Sequence, residues 1–122
     1  MSHLDACNKC IEQCTACDKA CNKCINTGDC TLLSSCQKCI AACQECIDEC
    51  EKHIDVCVDQ ECIIACQECI AKCELCIETC QECNLKCETG SQANCADACR
   101  ECIIACNDCI KACTKCLDDA CS

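Results

Sequence analysis

The chain has 122 residues, enough for one domain, with 29 cysteines, two glycines, no proline and no Phe, Tyr or Trp. Its formal net charge of -11 disfavours nucleic acid and anionic membranes as partners, and no apolar run approaches the length of a membrane span. With helix breakers nearly absent and aromatics missing, the interior must be built from small side chains, chiefly Cys, Ile, Ala and Leu.

The first predicted helix, over about 2–26, carries Cys7, Cys10, Cys14, Cys17, Cys21 and Cys24. The gaps alternate between three and four, the rhythm of a helix that buries one stripe. Ser2, with Asp5 three residues on, can open it, and Asn26 to Asp29, with Gly28 among them, end it. The second helix, over 31–57, repeats the stripe with Cys36, Cys39, Cys43, Cys46, Cys50 and Cys57, and His53 fills the missing slot. Thr31 can cap it. Between Cys57 and Cys62 the rhythm stretches to five residues, which reads as a tight turn with Asp59 as the cap. The third helix, over 60–88, carries Cys62, Cys66, Cys69, Cys73, Cys76, Cys80, Cys83 and Cys87, and the fourth, over 91–119, carries Cys95, Cys99, Cys102, Cys106, Cys109, Cys113 and Cys116. Glu88, Thr89 and Gly90 end the third helix and Ser91 can cap the fourth. Cys30 in a connection and Cys121 at the end lie off the stripes.

Each Ile from Ile11 to Ile110 that follows a stripe cysteine falls on one flank of its stripe, and Ala6, Ala20, Ala42, Ala65, Ala98, Ala105 and Ala112 fall on the other. Large flanks against small ones let neighbouring helices approach closely. The segments ECIIACQECIAKC from Glu61 and ECIIACNDCIKAC from Glu101 are near repeats. Short connections make consecutive helices antiparallel. The expected fold is therefore all-α: a single-domain, up-down-up-down four-helix bundle with a cysteine-lined core. Folding the chain about its three turns predicts six layers. One is Cys14, Cys46, Cys73 and Cys109, the next is Cys17, Cys43, Cys76 and Cys106, and the last holds Cys7, His53, Cys66 and Cys116. The same construction brings His3 and His53 to one end, where each is either a metal ligand or a simple helix-end or stripe filler.

Cys behaves as a small hydrophobe. Leu, Ile and Val bury more area without the oxidation hazard, so stability alone would not place Cys at nearly every stripe position. A disulfide scaffold belongs to secreted chains. The start MSHLDACNKC has no signal-peptide pattern, and the cysteine count is odd. A cytoplasmic location is expected. Thiolates select soft ions: Cu(I), Zn(II), Cd(II) or iron–sulfur clusters. A pair at i, i+4, with Cβ atoms about 5–6 Å apart, suits an ion held nearly linearly between two sulfurs. Charge favours Cu(I). At four thiolates each, about seven Zn(II) would leave much of the negative charge of the thiolates uncompensated, whereas Cu(I) at roughly half to one ion per cysteine leaves the interior near neutral. The expected metal ligands are the stripe cysteines and His53, with His3, Cys30 and Cys121 as secondary candidates. Zn(II) or Cd(II) sequestration and a thiol redox buffer are the alternatives. No constellation for catalysis is evident, so no enzyme is expected.

The recurring CxxxC on inward faces, as in Cys39 to Cys43, Cys62 to Cys66 and Cys102 to Cys106, resembles the bacterial copper storage proteins of the cytosolic type. The resemblance implies a four-helix bundle whose cysteines store Cu(I), and exchange with copper donor or acceptor proteins or small thiols. It also implies a possible tetramer, to which the outward Ile64 and Ile104 could contribute. In that family one mouth is often lined by His or Met, a place that His3 and His53 could take here.

Overall fold

The computed structural model of the protein describes residues 2–28, 33–89 and 92–119. Within them the regular elements are four helices: α1 (His3–Thr27), α2 (Leu33–Val56), α3 (Gln60–Thr89) and α4 (Gln92–Asp118). Each packs on two neighbours, α1 on α2 and α4, and α3 on α2 and α4. This is the all-α four-helix bundle that the stripes require, with helix bounds within two residues of those read from the breaks. The candidate caps at Asp29, Thr31, Gly90 and Ser91, and the off-stripe Cys30 and Cys121, lie outside the described residues.

The helix ends follow the local chemistry of the sequence. Ser2 caps α1, its Oγ accepting the Asp5 N–H at 3.2 Å. Gly28 closes α1 with φ 76° and donates its N–H to the Cys24 carbonyl at 2.9 Å. A residue with a Cβ enters that left-handed region only at a cost, so glycine is the fitting terminator. At the α2–α3 turn the Asp59 carboxylate accepts the Glu61 N–H at 3.1 Å and its carbonyl accepts the Ile63 N–H at 3.0 Å. Asp59 therefore caps α3 although the turn has neither Gly nor Pro.

The core is sulfur. Every described cysteine except Cys57 and Cys87 is buried, most of them completely. Ala6, Ala42, Ala65, Ala98, Ala105 and Ala112 are buried on one flank of the stripes. On the other flank Ile11, Ile40, Ile70, Ile77, Ile103 and Ile110 are half-buried against the core, and Ile47 is 7% exposed. The acidic and basic residues lie outside, forming exposed ion pairs such as Lys9–Glu45 at 3.3 Å, which at that exposure add little stability.

The register between helices departs in part from the predicted layers. The α3–α4 pairing is as expected: Cys66–Cys116, Cys69–Cys113, Cys73–Cys109, Cys76–Cys106, Cys80–Cys102 and Cys83–Cys99 all meet within 3.5–3.8 Å. Between α1 and α2 the contacts are Cys7–Cys46, Cys10–Cys43, Cys14–Cys39 and Cys17–Cys36, a full heptad away from the predicted partners. The end of α1 and the start of α2 are therefore not level, as the predicted layers would have them. α1 runs past the first turn of α2 by about seven residues, or about 10 Å. A slip of one whole heptad keeps sulfur facing sulfur, so the stripe pattern alone does not exclude it.

Half-buried Ile and buried Ala flanks give the bundle apolar burial that owes nothing to a metal. The reduced, metal-free chain is expected to show a helical circular dichroism spectrum, and Ile47→Ala to lower its stability by about 2–3 kcal/mol in denaturant titration. A coil spectrum would contradict this account of the core.

Candidate metal centre

The alternation of three- and four-residue steps holds every stripe sulfur on the bundle axis, and the small Cys and Ala side chains let the helices close until the sulfurs touch. Four successive layers result. Cys7, Cys46, Cys69 and Cys113 form the first, with all four Sγ atoms within 4.8 Å of one another. The others are Cys10, Cys43, Cys73 and Cys109; Cys14, Cys39, Cys76 and Cys106; and Cys17, Cys36, Cys80 and Cys102.

Each layer contains a closed triangle of sulfurs from three different helices. Cys46–Cys69, Cys69–Cys113 and Cys46–Cys113 measure 3.5, 3.5 and 4.0 Å. Cys10, Cys73 and Cys109 are joined by edges of 3.9, 3.6 and 3.6 Å, and Cys14, Cys39 and Cys76 by edges of 3.6, 3.6 and 4.0 Å. In the fourth layer Cys17, Cys80 and Cys102 are 3.9, 3.7 and 3.6 Å apart. The remaining sulfur of each layer stands 3.6–3.8 Å from one corner. Cys10 and Cys14, 3.9 Å apart, link two layers along α1. All the other sulfur contacts named here join two helices. The i, i+4 bridging expected from the CxxxC spacing is therefore secondary to contacts between helices, which are too short for a linear two-sulfur site, where the sulfurs would stand about 4.6 Å apart at a metal–sulfur length of about 2.3 Å.

Sulfurs packed this closely cannot all be anions, and they share protons. Hydrogen bonding from Cys109 leads the effects that hold the Cys10 thiol below its ordinary range, and Cys113 leads those that lower Cys69. The donors move the opposite way: Cys14 is pushed up, first by Cys10, and so is Cys113. Hydrogen bonding from Cys106 and then Cys14 leads the effects that bring Cys39 down to about 6. Nearer the ends, burial dominates, pushing Cys66 up to about 11 and Cys99 up to about 12. The sulfurs of the core thus shift in opposite directions according to the neighbour with which each shares a hydrogen bond, rather than all alike.

The two ends differ. At one, the rings of His3 and His53 stack with centroids 3.8 Å apart and an interplanar angle of 19°. His53 Nε2 lies 3.2 Å from Cys62 Sγ. His3 is only 7% exposed, with its Nε2 buried and unpartnered, so it is not the solvated helix-end residue that its position two residues from the N-terminus allows. His53 meets Cys62 and His3 rather than the predicted level of Cys7, Cys66 and Cys116. A cavity of about 240 Å³ opens beside the pair, lined by Ser2, His3, Glu49, Lys52, His53 and Val56. Cys57, at the same end, is partly exposed and points its thiol at the Asp59 carbonyl 3.7 Å away.

At the other end Cys87 and Cys95 are joined as a disulfide between α3 and α4, and Cys24 is disulfide-bonded as well. These three were expected as thiolate ligands; in this form their sulfurs are already covalently satisfied. The packing of α3 on α4 brings the Cα atoms of Cys87 and Cys95, eight residues apart in sequence, to 4.6 Å, inside the range of about 4.4–6.8 Å that a disulfide spans. The stripe spacing describes distance along a helix only, and the two cysteines near the facing ends of α3 and α4 were the signal for a bond between them.

The buried sulfurs lie in close clusters able to hold metal ions, and among the described residues no helix is long and apolar enough to cross a membrane. No family model, no curated protein and no solved structure matches the chain.

Burial, and then the charge His53 would carry, lower the pKa of His3, partly opposed by Cys69 and Glu49. The unfolded chain therefore takes up this proton first as pH falls. Stability associated with His3 is complete above the ordinary value near 6.5 and is lost as pH drops below it. The unfolding midpoint of the reduced apoprotein is expected to fall between pH 7.5 and 5.5, and His3→Gln to flatten that dependence.

Proposed function

We propose that the protein binds and stores many Cu(I) ions on the cysteine thiolates inside the bundle, as a metal store and buffer without catalytic activity. The observation that carries this reading is the continuity of the sulfur column: four adjoining layers, with His3 the one buried polar residue among the described residues. Soft monovalent ions suit such a column, since thiolate-only surroundings select them. One ion in place of one proton keeps the interior neutral, and bridging between neighbouring triangles spreads each sulfur's charge over more than one ion. The resemblance of the CxxxC repeats to the cytosolic copper storage proteins supports the same reading, together with a reducing cytoplasmic setting in which free thiols persist. The stacked histidines beside an open cavity suit an entry point, where copper donors, acceptors or small thiols would exchange ions.

Zinc or cadmium storage is the second reading. Its support is the set of four-sulfur groups within 4.8 Å, because a tetrahedral zinc site with bonds of about 2.3 Å needs sulfurs about 3.8 Å apart. The charge left by divalent ions at four thiolates each weighs against filling the whole column that way.

Anaerobic titration of the reduced protein with Cu(I) against a competing chelator separates the readings. Between roughly half and one ion per cysteine is expected, with no loss when zinc is present in excess. Saturation near seven ions, or displacement of copper by zinc, would defeat the copper reading. Omitting the reductant, so that the bonds at Cys24, Cys87 and Cys95 stay closed, is expected to lower the capacity.

A further inference from the structure

The four sulfur triangles have a chemistry of their own. Each brings three thiols from three helices to edges of 3.5–4.0 Å. The point equidistant from the corners, at the edge length divided by √3, lies about 2.0–2.3 Å from each sulfur, so an atom raised slightly off the plane makes three bonds of about the ordinary thiolate length near 2.3 Å. That is the geometry of a three-coordinate pyramidal centre. All twelve corners are buried free thiols, and the triangles share no corner. Whatever enters must also leave no charge behind, because an uncompensated ion is costly in this interior.

We propose that each triangle is a binding site for a trivalent group-15 element presented as its neutral hydroxide, arsenite being the simplest, and that the protein therefore sequesters such species as well. Three As–O bonds break and three As–S bonds form. Each thiol proton leaves with a hydroxide as water, so one As(OH)3 and three thiols give one As(SR)3 and three waters. No electron is transferred, no proton is released to solvent, and the charge of the interior is unchanged. The reactant is itself neutral, so it crosses the His3–His53 end without opposing the surface charge of -11. Antimonite shares this chemistry. The sites depend on the same inward thiols as copper storage, but not on copper being the physiological ion.

The test is titration of the reduced, metal-free protein with sodium arsenite under anaerobic conditions, followed by sulfur-to-arsenic absorption, pH in weak buffer and arsenic X-ray absorption. About four equivalents per chain are expected, one per triangle, each with three sulfur neighbours and no acid release. Cys69→Ser or Cys69→Ala, checked for helicity, is expected to lose one equivalent of the four. Cys57→Ser, outside the triangles and partly exposed, is expected to lose none. Binding of one equivalent or fewer, two-sulfur coordination, or loss at Cys57→Ser equal to that at the Cys69 variants would overturn the proposal. Cu(I) titration of the same preparation keeps the two readings apart: copper bound without arsenic defeats this one alone, and neither bound defeats both.

Discussion

The whole molecule depends on how closely four helices approach when the side chain between them is a single CH2 and a sulfur. With Leu or Ile on the axis the helices would be held apart by branched carbon, and the contacts between them would be hydrocarbon. With Cys on the axis and Ala beside it, opposing sulfurs reach 3.5–4.0 Å across both neighbouring and diagonal helices. The column that results has two properties at once. It excludes water as a core must, and its atoms are polarisable, weakly acidic ligands. The Ile flanks then supply the branched apolar area that the axis gave up, one layer further out, where it seals the seams between helices. Division of labour between axis and flank lets one set of residues serve chemistry while another serves stability.

Close packing also decides the protonation pattern. A thiol with no water around it is lowered or raised mainly by which neighbour donates to it, and in the layers that neighbour is another thiol. Cys10 and Cys14, adjacent on one stripe and 3.9 Å apart, are driven in opposite directions by this sharing. The core is consequently neither a dry hydrocarbon nor a buried cluster of charge. It is an array of thiols whose readiness to ionise differs from neighbour to neighbour along the hydrogen bonds between them.

Much of this was legible from spacing. The three-four alternation identified the helices, the axis-facing residues and the flanks, because side-chain direction in a helix follows sequence directly. The α3–α4 register followed too, since a short connection leaves a pair of helices little freedom to slide. The α1–α2 register did not follow. A repeating stripe looks the same to its neighbour after each heptad, so the pattern does not distinguish the alternatives. The Cys87–Cys95 bond was hidden for a related reason: it depends on distance across a turn, while the periodicity describes only distance along a helix. His53 was placed at the right end of the bundle, but its partners, Cys62 and the His3 ring, depend on the same helix offsets.

The separation of sulfur inside from carboxylate and amine outside has a consequence for recognition. When a monovalent cation replaces a proton, or a neutral hydroxide condenses with thiols, the number of charges in the interior stays the same. The electrostatic field at the outer surface is then nearly identical for an empty bundle and a laden one. Under the proposed functions, a partner steered by that field would dock on both equally, and discrimination between them would fall to how stiffly the helices are tied together.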